Sequence, residues 1–257
     1  MNGIKRVNIL SCPFDAISFS ESLECIRNAV LNRTHLHILV GNVDMVIKVR
    51  NDYDYSQIWW ASDLIIADGV PITWSAKLLR TPLKGRVSGT DIVMECSRIS
   101  AETGCAVALI GGIEAVTQKA ALVMEEAYPG SHIIFFPTPF PLDDESNETL
   151  VQDISKSGAS IVLAALGAPR QERWIQANLD RSGAMVGIGI GSAFDIISGT
   201  KPRAPKWMCD HGLEWFYRMM QEPKRLGRRY IIDDSPFLFH LAIEIIRRII
   251  RVERKKI

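Results

Sequence analysis

The residues most suited to chemistry in this 257-residue sequence begin with Asp68, which follows a short apolar run from Leu64 to Ala67. The run is too short for a helix and predicts a buried strand that ends at Asp68-Gly69. Ligands bind beyond the carboxyl ends of the strands in an open parallel sheet, so this carboxylate would face the binding crevice. We therefore predict that Asp68 acts as a general base. The alternative is that Asp68 only caps a helix beginning near Pro71.

Four other predicted strand ends carry glycine followed by residues suited to a phosphate or a sugar. Glycine at a strand-to-helix junction lets backbone amides approach a ligand, and the N-terminus of the next helix favours anions. Tight turns also need glycine for their geometry, so each junction alone has a structural explanation. Because all four are expected on the same sheet edge as Asp68, together they indicate a binding site. These junctions are 41–42, 111–112, 167–172 and 191–195.

Strand-length apolar segments alternate with segments of helical periodicity over the first two hundred residues, which is typical of βαβ units. Strands are predicted at 7–10, 36–40, 64–67, 106–110, 132–136, 161–165 and 185–190. Helices are predicted at 20–31, 43–50, 72–79, 91–102, 113–128, 148–156 and 171–179. The predicted fold class is α/β, a Rossmann-like, mainly parallel sheet flanked by helices.

Composition indicates a globular chain, because 47% hydrophobic residues are enough for a sizeable core. The five cysteines are scattered and have no CxxC spacing, so neither a disulfide framework nor a zinc site is indicated. We expect a reducing, cytoplasmic location. Nowhere do about 20 apolar residues follow one another, so we expect no signal peptide and no spanning helix.

The net charge of +1 conceals an asymmetry along the chain. Residues 201–257 contain 14 Lys or Arg and 7 Asp or Glu, a net charge of +7, which leaves −6 for residues 1–200. We therefore divide the chain into an α/β catalytic core, residues 1–200, and a helical, arginine-rich C-terminal appendage, residues 201–257. Such a basic appendage suits nucleic acid, an anionic membrane surface or a diphosphate.

Nine short motifs follow one another in a distinctive order along nearly the whole chain. They are Pro-Phe-Asp at 13–15, Ala-Asp-Gly at 67–69, Arg-Val-Ser-Gly-Thr-Asp at 86–91, Gly-Ala-Pro-Arg-Gln-Glu at 167–172, Gly-Ser-Ala-Phe-Asp at 191–195, Lys-Pro-Arg-Ala-Pro-Lys-Trp at 201–207, Gly-Leu-Glu-Trp-Phe-Tyr-Arg at 212–218, Glu-Pro at 222–223 and Arg-Arg-Tyr at 228–230. This series resembles the WecG/TagA/CpsF family of bacterial glycosyltransferases.

The resemblance implies transfer of a sugar from a nucleotide donor, typically a UDP-sugar, to a saccharide linked to polyprenyl diphosphate. The reaction would occur at the inner face of the cytoplasmic membrane, with inversion at the anomeric carbon and without a metal or another cofactor. The products of the family feed teichoic acids, enterobacterial common antigen or exopolysaccharides.

The resemblance also implies roles for individual residues. Asp68 matches the family's proposed base, which takes the proton of the acceptor hydroxyl. Asn42 matches the asparagine of the family's Thr-x-Asn motif and is expected to contact the donor, whereas the threonine is Val40 here and its hydroxyl is lost. The arginines thought to fold over the site and steady diphosphate are matched by Arg218, Arg225 and Arg228. The other residues expected to bind substrate are Gly69, Arg86, Gly89, Asp91, Gly111, Gln171, Glu172 and Asp195.

The chemistry of the residues agrees with these roles. Sugar transfer needs a base for the hydroxyl and positive charge for the departing diphosphate, whose oxygens arginine holds bidentately. A run of charges usually marks a solvated helix face. Four aromatic residues are interleaved with these arginines, however, and favour a functional role: Trp207, Trp215, Phe216 and Tyr217.

Three other function classes fit the sequence less well. An NAD(P)-dependent oxidoreductase would need G-x-G-x-x-G, but the third glycine after Gly187-Ile188-Gly189 is Ser192. A metal-dependent transferase would use Asp52 and Asp54 as a D-x-D, yet these residues are predicted in a solvated polar turn. A nucleic-acid-binding protein would use the basic tail, but its charges accompany apolar residues at helical period, which favours a membrane or partner surface.

Residues 235–250 predict an amphipathic helix with a broad apolar stripe. The stripe is too short to span about 30 Å of hydrocarbon and too apolar to remain bare in water. We expect the inner leaflet of the cytoplasmic membrane to cover it, with a surface of the same subunit or of another subunit in a homo-oligomer as the alternative. The stripe consists of Phe237, Leu238, Leu241, Ala242, Ile245, Ile246, Ile249 and Ile250.

Overall fold

A parallel sheet of six strands lies at the centre of the fold. The computed structural model describes the backbone of residues 4–254 and, except at residue 210 and residues 251–254, their side chains. The strands found in residues 4–254 are β1 (Arg6–Ile9), β2 (Cys12–Asp15), β3 (Leu36–Gly41), β4 (Leu64–Ala67), β5 (Ala106–Gly111), β6 (His132–Phe136), β7 (Ile161–Ala165) and β8 (Val186–Gly189). The last six form the sheet in the order β4-β3-β8-β7-β5-β6, and every neighbouring pair is parallel.

Helices follow most of the strands and continue to the end of the described chain. They are α1 (Phe19–Asn32), α2 (Val43–Asn51), α3 (Tyr53–Ala61), α4 (Val70–Leu78), α5 (Gly89–Thr103), α6 (Glu114–Ala127), α7 (Asp144–Ser157), α8 (Arg170–Asn178), α9 (Ala193–Ile197), α10 (Lys206–Asp210), α11 (Glu214–Gln221), α12 (Pro223–Arg228) and α13 (Ser235–Arg254). A short π-helical segment, Arg229–Asp233, connects α12 to α13.

Both faces of the sheet are buried. Successive side chains of each strand point to opposite sides, and each side packs into an apolar cluster. Ile38 and Val40 of β3 pack into one apolar cluster, whereas Leu39 between them packs into another. This burial explains why the strands appear in the sequence as continuous apolar runs. The predicted α/β class with a mainly parallel sheet is confirmed.

The first predicted strand lies outside this sheet. β1 pairs with β2 in an antiparallel hairpin that was not predicted. The two residues between the strands, Leu10 and Ser11, have φ values of 52° and 67°, the left-handed conformation that a tight hairpin turn requires. Neither glycine nor asparagine marks this turn, so the usual sequence signal of a hairpin is missing.

The prediction of a polar turn at residues 52–54 is wrong, because α3 begins there. Asp52 is the N-cap residue of α3, and its carboxylate accepts a hydrogen bond from the backbone N–H of Tyr55 at 2.9 Å. Tyr55 and Trp59, one helical turn apart, are both fully buried. A capping aspartate followed by apolar residues at i and i+4 is a helix pattern, and the neighbouring polar residues obscured it.

The helices after residue 201 pack against the body of the fold: Glu214 of α11 pairs with Arg86, and α13 contacts α2. The predicted amphipathic helix is present as α13, but its apolar stripe divides into two faces. Phe237 and Leu241 are buried in the cluster that contains Met45, and Ile245 packs against the same cluster. The remaining stripe residues are exposed.

No helix within residues 4–254 is long and apolar enough to cross a membrane. The division into a core of residues 1–200 and an appendage of residues 201–257 stays a prediction.

Candidate active site

Two cavities meet at the carboxyl edge of the sheet. The larger cavity has a volume of about 640 Å³ and follows the strand-end turns of β5, β7 and β8. The smaller cavity has a volume of about 330 Å³ and lies between the start of α4 and the helices after residue 212. The residues that line both cavities are Asn42, Asp68, Arg218 and Arg229.

The pairing of β3 with β4 brings Asp68 beside Asn42. Gly41 is paired with Ala67 across the two strands, so the next residue of each strand lies at the same level of the sheet edge. The backbone N–H of Asp68 donates to the carbonyl of Gly41 at 2.8 Å and extends this pairing. The N-cap residue of α4 is Gly69, whose φ of 95° suits glycine, so Asp68 does not occupy the capping position.

The environment of Asp68 makes its carboxylate more basic than a free one. Burial raises the pKa of the Asp68 carboxyl above its ordinary value. The guanidinium of Arg86 opposes this shift, the carboxylate of Glu214 adds to it, and Arg218 opposes it. A carboxylate with a raised pKa accepts a proton more readily, which suits a general base.

Glu214 connects the two arginines that lie nearest to Asp68. Its carboxylate forms ion pairs with Arg86 at 3.0 Å and with Arg218 at 2.7 Å, and the Glu214 side chain is only 14% exposed. Arg86 precedes α5 in the body of the fold, whereas Glu214 and Arg218 belong to α11. The ion pair between Glu214 and Arg86 therefore joins α11 to the sheet edge beside the candidate base.

Arg229 approaches Asn42 from the π-helical segment. Its Nη2 donates to Asn42 Oδ1 at 3.4 Å, and ion pairs of 3.6 Å connect it to Asp44 and to Asp234. Asn42 Oδ1 also accepts from the backbone N–H of Met45 at 3.2 Å and so caps α2. The capping bond fixes the Asn42 side chain at the point where the two cavities meet.

The larger cavity is lined by backbone turns and by a few charged side chains. Asp195 forms an ion pair of 2.9 Å with Lys201, which also pairs with Glu222 at 3.1 Å. Glycine turns after β5, β7 and β8 leave their backbone exposed to the cavity at Gly112, Gly167 and Gly191. The N–H groups of Gly112 and Gly191 already donate to Ala165 and Gln171, so the basic side chains are what suits this cavity to a phosphorylated ligand.

Most of the residues predicted to bind substrate line these cavities, but four do not. Asp91 pairs with Arg203, and Arg228 is exposed beyond both cavities. Glu172 is fully buried behind Gln171. At Gly111 an added Cβ would lie 2.8 Å from the backbone of Ala165, so this glycine permits β5 and β7 to approach. The predicted residues that line a cavity are Asn42, Asp68, Gly69, Arg86, Gly89, Gln171, Asp195, Arg218 and Arg225.

Sequence reasoning did not identify Glu214, Arg229 or Lys201 individually. Each of the three lies in one of the sequence motifs. The motif alone does not indicate which of its side chains reaches the cavity. Arg228 was expected from the family resemblance, but the side chain that lines both cavities is that of Arg229, the first residue of the π-helical segment.

The residues behind the alternative functions have other roles. Gly187 has no space for a side chain, because a Cβ would lie 2.5 Å from Ile175 of α8. The absence of a side chain at Gly187 therefore lets α8 pack closely on β8. Asp52 caps α3 and pairs with Arg173. Among the described residues, no group of three or more His, Cys, Asp or Glu side chains has the arrangement of a metal site.

Comparison with known proteins identifies the family. A family model, "Glycosyl transferase WecG/TagA/CpsF family", matches residues 7–251. The chain belongs to this family and is a glycosyltransferase.

Similar curated proteins include enzymes of Staphylococcus aureus strains MW2 and NCTC 8325 / PS 47. Both are named N-acetylglucosaminyldiphosphoundecaprenol N-acetyl-beta-D-mannosaminyltransferase. Each is 27% identical to this chain over 225 residues, which cover 87% of this chain and 87% of the relative.

Substitution of Gly111 tests whether this glycine serves packing. We expect Gly111→Ala to lower the free energy of unfolding by about 3 kcal/mol or more, because the Cβ meets backbone and φ is positive. Gly158→Ala is the control, since its φ is also positive but no atom lies within 4 Å of the added Cβ. Chemical denaturation measures both. Equal losses would contradict the packing role.

Proposed function

We propose that this glycosyltransferase moves a sugar from a UDP-sugar to a saccharide carried on polyprenyl diphosphate, with inversion at the anomeric carbon. The observation that carries the proposal is the meeting of two cavities of different character at Asp68. The names of the Staphylococcus aureus relatives support the acceptor class, because they specify N-acetylglucosamine on diphosphoundecaprenol. They also make an N-acetylhexosamine the first donor sugar to test.

The larger cavity is the proposed donor site. Its glycine turns bring the backbone close to the cavity, and Lys201, Arg218 and Arg225 supply positive charge for a diphosphate. Val40, which stands in the place of the family threonine, lines this cavity without offering a hydroxyl. Donor contacts in this region therefore depend on Asn42.

The smaller cavity is the proposed acceptor site. Trp215, Tyr230, Phe237 and Leu238 line it together with the polar groups around Asp68. A surface that is apolar on one side and charged on the other suits an acceptor with a lipid chain and a diphosphate. Leu238 also belongs to the exposed face of α13, so the cavity opens toward an apolar surface.

The reaction is proposed as a single displacement. Asp68 takes the proton of the acceptor hydroxyl while its oxygen forms a bond to the anomeric carbon, and the bond from that carbon to the phosphate oxygen breaks. Attack from the face opposite the leaving UDP inverts the configuration. Arg218, Arg225 and Arg229 stabilise the negative charge of the departing diphosphate, the task that a divalent cation has in metal-dependent transferases.

A panel of UDP-sugars with a synthetic polyprenyl-diphosphate-linked N-acetylglucosamine acceptor tests this proposal. We expect a product heavier by one sugar residue with at least one donor, with β-linkage from an α-configured donor and without inhibition by EDTA. Mass spectrometry and NMR of the product measure these outcomes. Retention of configuration would contradict the displacement, and failure of every donor would contradict the proposed substrates.

Replacement of Asp68 tests the base. We expect Asp68→Asn to lower turnover by about 10² to 10⁴ while UDP affinity is retained, since the change removes basicity with little change in shape. Steady-state kinetics and calorimetry separate the two effects. The control is Asp54→Asn, which alters an exposed carboxylate in the first turn of α3. Near-normal turnover of Asp68→Asn would require a different base.

We further propose that α13 binds the inner leaflet of the cytoplasmic membrane. Leu238, Ile246 and Ile249 are 67%, 56% and 54% exposed on the side of α13 next to its packed face. The exposed Arg247 adjoins this face, and further basic residues follow in the sequence at 251, 254, 255 and 256. Each basic residue near anionic lipid contributes about 1 kcal/mol, so an apolar face with a basic end favours such a membrane.

Liposome co-sedimentation tests the membrane proposal. We expect binding to phosphatidylglycerol vesicles that weakens at high salt and is lost in Ile246→Glu/Ile249→Glu. The matched control is Leu31→Glu/Leu122→Glu, which adds the same charges at leucines 60% and 65% exposed on α1 and α6. Binding indifferent to the α13 substitutions would contradict the proposal. Loss of a dimer in the α13 variant instead would identify the face as an oligomer interface.

A further inference from the structure

Glu172 is a buried carboxylate that the proposed mechanism does not use. It lies in the first turn of α8 with none of its surface exposed, directly behind the wall of the larger cavity. Its Oε1 accepts a hydrogen bond from Gln171 Nε2 at 2.6 Å, and its Oε2 is buried without a hydrogen-bond partner. A charge of this kind is expensive to bury, so its position needs an explanation.

The hydrogen bond from Gln171 to Glu172 determines how the Gln171 amide is turned. An ionised carboxylate only accepts hydrogen bonds, so the NH₂ group of Gln171 must point toward it. The amide oxygen of Gln171 then points the other way, where it accepts from the backbone N–H of Gly191 at 3.1 Å. Glu172 therefore acts on Gly191 through one intervening side chain.

The end of β8 is shaped to receive these two side chains. An added Cβ at Gly189 would lie 2.6 Å from Gln171 Nε2 and 2.7 Å from Glu172 Oε1. The turn that follows, residues 189–192, lines the larger cavity together with Gln171. The turn is thus held from behind by a chain of two hydrogen bonds that starts at the Glu172 carboxylate.

We propose that Glu172 is a positioning residue of the donor site: its carboxylate orients the Gln171 amide, which holds the turn 189–192 in the form that receives the nucleotide diphosphate. This inference rests on the proposed function, because it takes the larger cavity as the donor site. Glu172 is too deeply buried to contact the donor itself.

The protonation state of Glu172 makes the inference testable by pH. Burial raises the pKa of the Glu172 carboxyl to about 7, against the hydrogen bond from Gln171 and the charge of Lys48. The groups that face it from the neighbouring helices are Lys48 of α2, paired with Asp44, and the buried hydroxyl of Tyr55 of α3. Above this pKa the carboxylate fixes Gln171. Below it the protonated group can donate as well as accept, so Glu172 no longer enforces the orientation, which only the Gly191 N–H then favours.

UDP is the probe, and calorimetry between pH 6 and pH 8 is the measurement. We expect Glu172→Gln to weaken UDP binding about tenfold at pH 8, the effect of about one hydrogen bond, since a glutamine at this position permits either orientation of Gln171. At pH 6 we expect the ratio of the two affinities to approach one, because the wild-type carboxyl is then protonated. Titration of UDP itself cancels in this ratio.

The control is Asp15→Asn, which alters another buried carboxylate that accepts hydrogen bonds from Arg6 and from the backbone of Ile65. We expect this variant to lose thermal stability without a pH-dependent change in UDP affinity. If Glu172→Gln also loses stability but binds UDP as the wild type does at every pH, Glu172 is only structural and the inference is overturned. If the wild type does not bind UDP, the proposed function fails instead.

Discussion

The parallel pairing of β3 with β4 is the constraint on which the rest of the site depends. Because Gly41 is level with Ala67, the chain leaves the two strands at the same height and sets Asn42 beside Asp68. A shift of one residue in this register would turn the β4 side chains to the opposite faces of a sheet that is buried on both sides. Core packing therefore fixes the position of the candidate base.

The C-terminal helices complete what the sheet edge begins. Glu214 forms ion pairs with both Arg86 and Arg218, so the two positive charges near Asp68 share one negative partner before any ligand arrives. An incoming diphosphate must compete with this carboxylate, which lowers the net gain from each arginine contact. The same competition keeps the arginines oriented toward the site. Glu214 therefore weakens the binding of a diphosphate but keeps the arginines in position before the ligand arrives.

The sheet was predictable from the sequence because its strands are buried on both faces and appear as apolar runs between helices. The hairpin of β1 and β2 was not, since Leu10 and Ser11 give no sign of a left-handed turn. Cavity residues were predictable as motifs but not as single side chains. Gln171 and Glu172 are adjacent in one motif, yet Gln171 lines the cavity and Glu172 faces the core. Which of two neighbours reaches a ligand depends on helix orientation, which a motif does not encode.

The bare backbone of β8 has a consequence for changing the donor preference of this enzyme. Gly187 and Gly189 lie on one face of the strand, and side chains of α8 and its C-cap residue lie directly on this bare backbone: Ile175 and Leu179 at Gly187, Gln171 and Glu172 at Gly189. The distance from helix to sheet is therefore set by these four side chains. A smaller residue at Arg170, which lines the cavity but is not one of the four, leaves that distance unchanged, so the volume removed becomes space inside the cavity. Pocket size and scaffold geometry are separable here, and variants can explore larger or smaller sugars on a constant frame.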